Sequence, residues 1–238
     1  MARMSEPTPV PSAAAIADVL ALWGVGGACL TPPLAALCPP GDTVVATART
    51  VQISVGDDGP GLSGIYDVLS QRLDGCALVI AGPATLGGCM WGEVLTAAAA
   101  AMGARAVLID GAVRDVAALA QFGVGVYGTS VGVAGPNGRA HLVGVDVPVS
   151  IGAVTIEPGS TIVADSGGCV RLPAALTEAA IAAAQRYEAG EAQVLHALAN
   201  GARLSGVYQF KRDVVEQIRR QHPHTTAGQP APTPGGIS

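Results

Sequence analysis

A chain of 238 residues, half of them apolar, can bury one sizeable core. Its net charge of −5, with only 13 Lys and Arg, leaves no basic stripe for a phosphate backbone and excludes nucleic acid as an expected partner. Aromatic residues at 3% and 32 glycines require a core of small aliphatic side chains joined by many tight turns.

Residues 1–11 are Pro- and Ser-rich and read as a disordered tail, without the apolar centre of a secretory leader. A helix is expected over 13–22, followed by the breaker GVGG and the Pro-rich stretch TPPLAALCPPGD, which turns the chain into a strand, TVVATARTVQIS. The loop GDDGPG precedes a helix over 62–71, and CALVIAG is a short apolar run suited to a buried strand. From residue 87 the order becomes regular: a turn (GGCMWG), a helix (EVLTAAAAAMG), a strand (RAVLIDG), a helix (VRDVAALAQFG) and a strand (VGVYGT). Such alternation predicts parallel strands with crossover helices. After a Gly- and Pro-rich loop over 128–138, VDVPVSIGAVTIEPGSTIVADSGGCVRLP alternates apolar with small or polar residues and reads as antiparallel β structure. A long helix over 173–200 stops at Gly201, an amphipathic piece follows over 209–221, and 222–238 reads as a second disordered tail. One α/β domain over 12–221 is therefore expected. No apolar run reaches the ~18 residues of a membrane helix, so no membrane partner is expected.

The segment 91–115, WGEVLTAAAAAMGARAVLIDGAVRD, carries the chemistry. A helix and a strand between Glu93 and Arg114 bring both to one edge of the sheet, where ligands collect. Gly92, Glu93, Val94 and Leu95 form the first turn of a helix, whose unpaired N–H groups favour a carboxylate. Arg114 offers a planar guanidinium for a carboxylate or a developing enolate, and Asp115 a hard oxygen ligand. A lone carboxylate suits Mg²⁺, or Mn²⁺, which leaves positions for water and substrate, whereas zinc prefers His or Cys. A Schiff-base mechanism is disfavoured, because the only lysine, Lys211, lies in a polar stretch near the C-terminal end.

Competing readings of these residues are ordinary. An Arg-Asp pair at a helix start is often a cap with a solvated charge, and Glu93 alone could be a first-turn acid favoured by the dipole. GVGGACL and GGCMWG lack both the G-x-G-x-x-G spacing and the G-K-[ST] ending of nucleotide loops. His141 and His196 are isolated and read as surface or satisfied core, and Cys89 reads as packing. The five widely spaced cysteines, without C-x-x-C, fit a reducing, cytoplasmic setting.

Segment 91–115, with its twenty residues between Glu93 and the pair Arg114-Asp115, resembles the RraA-like family, which includes the 4-hydroxy-4-methyl-2-oxoglutarate aldolases. Similarity continues from the Pro-Gly-Asp turn before TVVATARTV to VRLP, and covers most of 13–205. The resemblance implies the family's swivelling β/α/β fold with a mixed sheet. It also implies a divalent metal held by Asp115 and chelated by a small 2-oxo acid, with Glu93 orienting water on that metal. Carbon–carbon cleavage then releases pyruvate through its enolate, stabilised by metal and Arg114; oxaloacetate decarboxylation would use the same chemistry. A homotrimer or a pair of trimers is implied, with a Glu from a neighbouring subunit's C-terminal helix completing the site. Glu191 in YEAGEAQV is the nearest match, with Glu188 beside it. Two departures stand out: the aldolases carry Asp where this chain has Glu93, and members often have an Arg soon after the strand that here leads into GTSVGVAGPNG. Two alternatives accompany the lyase reading. One is a non-catalytic regulator acting by protein contact, whose family representatives lack the Asp found here at 115. The other is a member recruited to a different enolate-type reaction.

Overall fold

The computed structural model describes residues 9–30, 33–59 and 61–221, so most of both expected tails lies outside the described residues. The chain opens with α1 (Ala13–Leu22), capped by the Ser12 side chain, which accepts from the Ala15 N–H. Then come β1 (Ala35–Cys38), β2 (Val44–Val55), α2 (Ser63–Val68), β3 (Cys76–Ala81) and β4 (Cys89–Trp91). The middle of the chain supplies α3 (Glu93–Ala101), β5 (Ala106–Val113), α4 (Val116–Leu119) and β6 (Gly125–Val131). The remainder comprises β7 (Ala140–Val145), β8 (Val149–Ile151), β9 (Val154–Ile156), β10 (Thr161–Asp165), β11 (Gly168–Leu172), α5 (Thr177–Ala199), α6 (Leu204–Val207) and α7 (Gln209–Arg220).

Nine of these strands form one sheet in the order β1-β6-β5-β3-β2-β10-β11, with β4 joined to β5 and β7 to β2. β2, β3, β5 and β6 run parallel, while β1, β7, β10 and β11 pair antiparallel at the flanks. This is the expected α/β class with a mixed sheet. The apolar runs CALVIA and AVLI are buried on both faces, as central parallel strands require. One face packs Leu78, Ile80, Val107 and Ile109 against Ile65 of α2 and Ala99 of α3. The other packs Val79 and Leu108 against the β8–β9 hairpin through Ile151 and Ile156. The C-terminal helices α5 and α7 pack with α1 over β10–β11, burying Ile16, Leu20, Ala183 and Ile218. Pro9 also lies along α5, its carbonyl accepting from Gln185 Nε2 at 3.1 Å.

Three local departures from the sequence expectation bear on the site. The helix expected over 113–123 shrinks to four residues and a short 3₁₀ turn, because Arg114 extends from the strand and Asp115 is left-handed at φ 58°, ψ 27°. GGCMWG, expected as a turn, contains β4. The Pro-rich stretch contains β1, an edge strand. β3 pairs with β5 only as far as Ile80 opposite Ile109; β4 takes over that edge at Ala112 and Val113. The chain leaves β4 at Gly92 and enters α3 beside the end of β5.

A candidate active site at the end of β5

That handover brings the two ends of the segment together. Gly92, Glu93, Val94, Leu95, Arg114 and Asp115 line one cleft of about 400 Å³, at the low end of ligand-pocket sizes. Leu62, Tyr66 and Pro136 line the same cleft. The backbone junction is fixed by the Arg114 N–H, which donates to the Trp91 carbonyl at 3.0 Å. Beneath it, buried Trp91 donates through Nε1 to Thr96 Oγ1 at 2.8 Å, and that hydroxyl donates to the Gly92 carbonyl at 2.9 Å. These bonds tie the first turn of α3 to β4.

The two charged residues at the end of β5 face that turn. Asp115 Oδ2 lies 3.5 Å from Arg114 Nε and accepts from the Glu93 N–H at 3.4 Å. Both contacts are long, and both side chains are nearly half exposed, so this ion pair contributes little to stability. The carboxylate therefore keeps lone pairs available to a ligand. Gly92 is extended and needs no special backbone freedom; what matters is space. A Cβ on residue 92 would sit 2.6 Å from Asp115 Oδ2 and 2.9 Å from Arg114 Cγ. Glu93 Oε1 accepts from Gln121 Nε2 at 3.3 Å, and Gln121 is itself anchored to the Ala118 carbonyl at 2.9 Å. The loop after β6 closes over the site, with the Cβ position of Gly135 3.4 Å from an Arg114 Nη.

A family model described as RraA-like, Aldolase/RraA, matches residues 13–171. The chain belongs to the RraA-like family. One RraA-like relative, from Halalkalibacterium halodurans, is 30% identical over 63% of this chain and 69% of its own, and bears the name "Putative 4-hydroxy-4-methyl-2-oxoglutarate aldolase". Among solved structures, an uncharacterized protein of Pseudomonas syringae pv. tomato is 25% identical, with a TM-score of 0.71 over 85% of this chain and all of its own. A Streptomyces coelicolor member of the RNase ES inhibitor RraA protein family is 24% identical, with a TM-score of 0.66 over 76% and 89% of the two chains, and shares the fold.

Other residues of this RraA-like chain behave as packing or surface groups. His141 is buried: Nδ1 accepts from the Gly61 N–H at 2.8 Å, leaving Nε2 to donate to the Gly56 carbonyl at 3.2 Å, so it is a satisfied core histidine. Burial pushes the Cys89 thiol up against the pull of Arg114, which keeps it a thiol rather than a nucleophilic thiolate. Glu191 does not line the cleft in its own chain; its Oε1 pairs with Lys211 Nζ at 2.6 Å. Glu188 is engaged as well, accepting from the Ser12 N–H at 2.8 Å. Burial pulls the Lys211 ammonium down, but Glu191 and the Tyr187 hydroxyl outweigh it and hold the net value above the ordinary lysine range. A lysine held protonated is a poor Schiff-base nucleophile.

The donor chemistry fits a hard cation. Among the described residues no three His, Cys, Asp or Glu side chains cluster to hold an ion. A metal at this site would rest on Asp115, with Glu93 nearby, an all-oxygen and mostly aqueous set that suits Mg²⁺ and not Zn²⁺. Sequence reasoning missed Tyr66 of α2, Leu62 at its start and Pro136 of the loop after β6, which lie far from 91–115 in the chain, and Gln121 and Thr96, which act by supporting Glu93 and Gly92. Only Thr96, one turn after Gly92, carried a sequence signal.

Proposed function

We propose that this RraA-like protein is a divalent-metal-dependent lyase that cleaves a small 2-oxo acid at the bond next to its pyruvyl unit. The support is one juxtaposition: the first turn of α3, the Arg114 guanidinium and the Asp115 carboxylate share a single cleft. The N–H groups at 93–95 would bind the substrate carboxylate at the positive end of α3. Arg114 would donate to the 2-oxo oxygen, where negative charge grows as the carbon–carbon bond breaks. Asp115 would hold Mg²⁺ or Mn²⁺, which when bound supplies further positive charge to the 2-oxo acid group. Glu93, steadied by Gln121, would orient water beside the reacting carbons.

Aldol cleavage of a 4-hydroxy-2-oxo acid and decarboxylation of oxaloacetate both proceed through the pyruvate enolate and make the same demand on these residues. The proposal extends to a homotrimer or hexamer in which Glu191 of one subunit reaches the cleft of the next, exchanging Lys211 for that site.

Pyruvate release from oxaloacetate and from a panel of 4-hydroxy-2-oxo acids, including 4-hydroxy-4-methyl-2-oxoglutarate, tests the reading. Release should require Mg²⁺ or Mn²⁺, stop with EDTA, and fall by at least ~10²-fold in Asp115→Asn. Full activity in that variant or in EDTA rejects the proposal.

A further inference from the structure

The cleft lining mixes charged and apolar groups. Its charged groups are Glu93, Arg114 and Asp115, two carboxylates to one guanidinium. Leu62, Tyr66, Val94 and Pro136 add apolar lining to the same cleft. Tyr66 is 58% exposed and Val94 78%, so both present apolar surface at the cleft mouth instead of burying it in the core. Arg114 is the only basic side chain among the described residues that line the cleft. The one guanidinium in the covering segment, Arg139, is turned elsewhere: its Nε pairs with Asp57 Oδ1 at 3.2 Å and its Nη1 donates to the Leu86 carbonyl at 3.4 Å.

We infer that the substrate is a 4-hydroxy-2-oxo acid with a single carboxylate and an apolar alkyl or aryl group on C4, and that Tyr66 and Val94 select it. This rests on the lyase reading above. Arg114 and the α3 N–H groups are already engaged by the pyruvyl end. A second carboxylate on C4 would meet Glu93 and apolar side chains, with no cation beyond those the pyruvyl end already engages to repay its lost hydration. An alkyl or aryl group there removes apolar surface of both partners from water, and an aryl ring can stack on Tyr66. The reaction balances without any oxidant or reductant. The C3–C4 bond breaks with its electron pair passing to C3 as the enolate; the C4 hydroxyl gives up its proton and becomes an aldehyde or ketone; protonation of C3 gives pyruvate.

The test compares kcat/KM for pyruvate release, with Mg²⁺, from 4-hydroxy-2-oxo-4-phenylbutanoate, 4-hydroxy-2-oxohexanoate and 4-hydroxy-4-methyl-2-oxoglutarate. The two monocarboxylates should exceed the dicarboxylate by at least ~10-fold. Tyr66→Arg, a change at an exposed position, should shift the preference toward the dicarboxylate by a similar factor, and Val94→Ser should reduce the preference for the phenyl compound. Equal or better cleavage of the dicarboxylate by the unaltered protein, or an unchanged preference in both variants, overturns the inference and leaves the lyase reading standing. Failure of all three acids and of oxaloacetate to release pyruvate overturns the lyase reading itself, and this inference with it.

Discussion

Gly92 and Asp115 stand so close that a single methyl group on residue 92 would lie 2.6 Å from Asp115 Oδ2. Both residues belong to short connections at the end of the sheet; the same methyl would lie 2.9 Å from Arg114 Cγ, and both contacts are with nearly half-exposed side chains, which can move aside. Gly92→Ala should therefore fold with little change in Tm while displacing Asp115 and Arg114. A shift of about 1 Å in reacting groups costs on the order of 10²-fold in rate. Circular dichroism and pyruvate release, measured on the same sample, check both halves of this expectation.

Asp115 combines a left-handed backbone with a charge, and the two can be separated. Asn tolerates φ 58° about as well as Asp, whereas Ala incurs a penalty of roughly 1–2 kcal/mol. Asp115→Asn should keep the stability of the parent and lose activity; Asp115→Ala should lose both. Thermal melts of the two variants side by side test this, and a large drop in Tm for Asn alone would show that the carboxylate is structural.

Arg114→Lys keeps the positive charge and loses the planar fork. If the guanidinium acts at the 2-oxo oxygen, kcat should fall by ~10² or more with KM changed less. An effect confined to KM would assign Arg114 to ground-state binding only.

Burial raises the Asp110 carboxyl above its ordinary range, against a smaller pull from the Gly82 N–H. The folded protein thus holds this proton more tightly than the unfolded chain does. Stability associated with Asp110 is intact in acid, falls as pH rises through the unfolded value, and is fully lost above the raised folded one. Asp110→Asn, which still accepts from Gly82, should raise Tm at neutral pH and make no difference near about pH 3. Equal gains at both pH values would refute the assignment. Gly82 itself, at φ 101°, has no room for a side chain: a Cβ would lie 2.1 Å from the Ile53 carbonyl oxygen. Gly82→Ala should cost at least about 2 kcal/mol, read as a fall in denaturation midpoint.

Lys211 is the only lysine and is held by Glu191. Treatment with substrate and borohydride should leave activity intact and no adduct on the protein, as expected for a metal-type rather than a Schiff-base lyase. Lys211→Met should loosen α7, seen as faster amide exchange over 209–220.

Much of this was legible in the sequence where a period or a stop signal was strong. α1 falls on the expected residues, the runs CALVIA and AVLI are central strands, and the segment from Gly92 to Asp115 does return to its starting point. Short elements set by tertiary pairing were not legible. β4 exists only because β3 ends early and leaves an edge of β5 open, and β1 because β6 needs a partner. The shrunken helix after Arg114 follows from one residue's left-handed backbone, which a helix-forming sequence such as VAALAQ conceals. The apolar lining at Tyr66 was hidden for another reason: Leu62 and Tyr66 stand one turn apart at α2, and only the fold brings them beside Pro136 and the start of α3.

The scarcity of aromatic residues has an optical consequence. The two tryptophans sit in unrelated places: Trp91 lies under the first turn of α3, bonded to Thr96, whereas Trp23 donates to the Ile218 carbonyl beneath α7. In a Trp23→Phe background the remaining indole emission arises next to the cleft, so cation or oxo-acid binding can be followed by intrinsic fluorescence without any attached dye. In a Trp91→Phe background the same signal reports on the seating of the C-terminal helices.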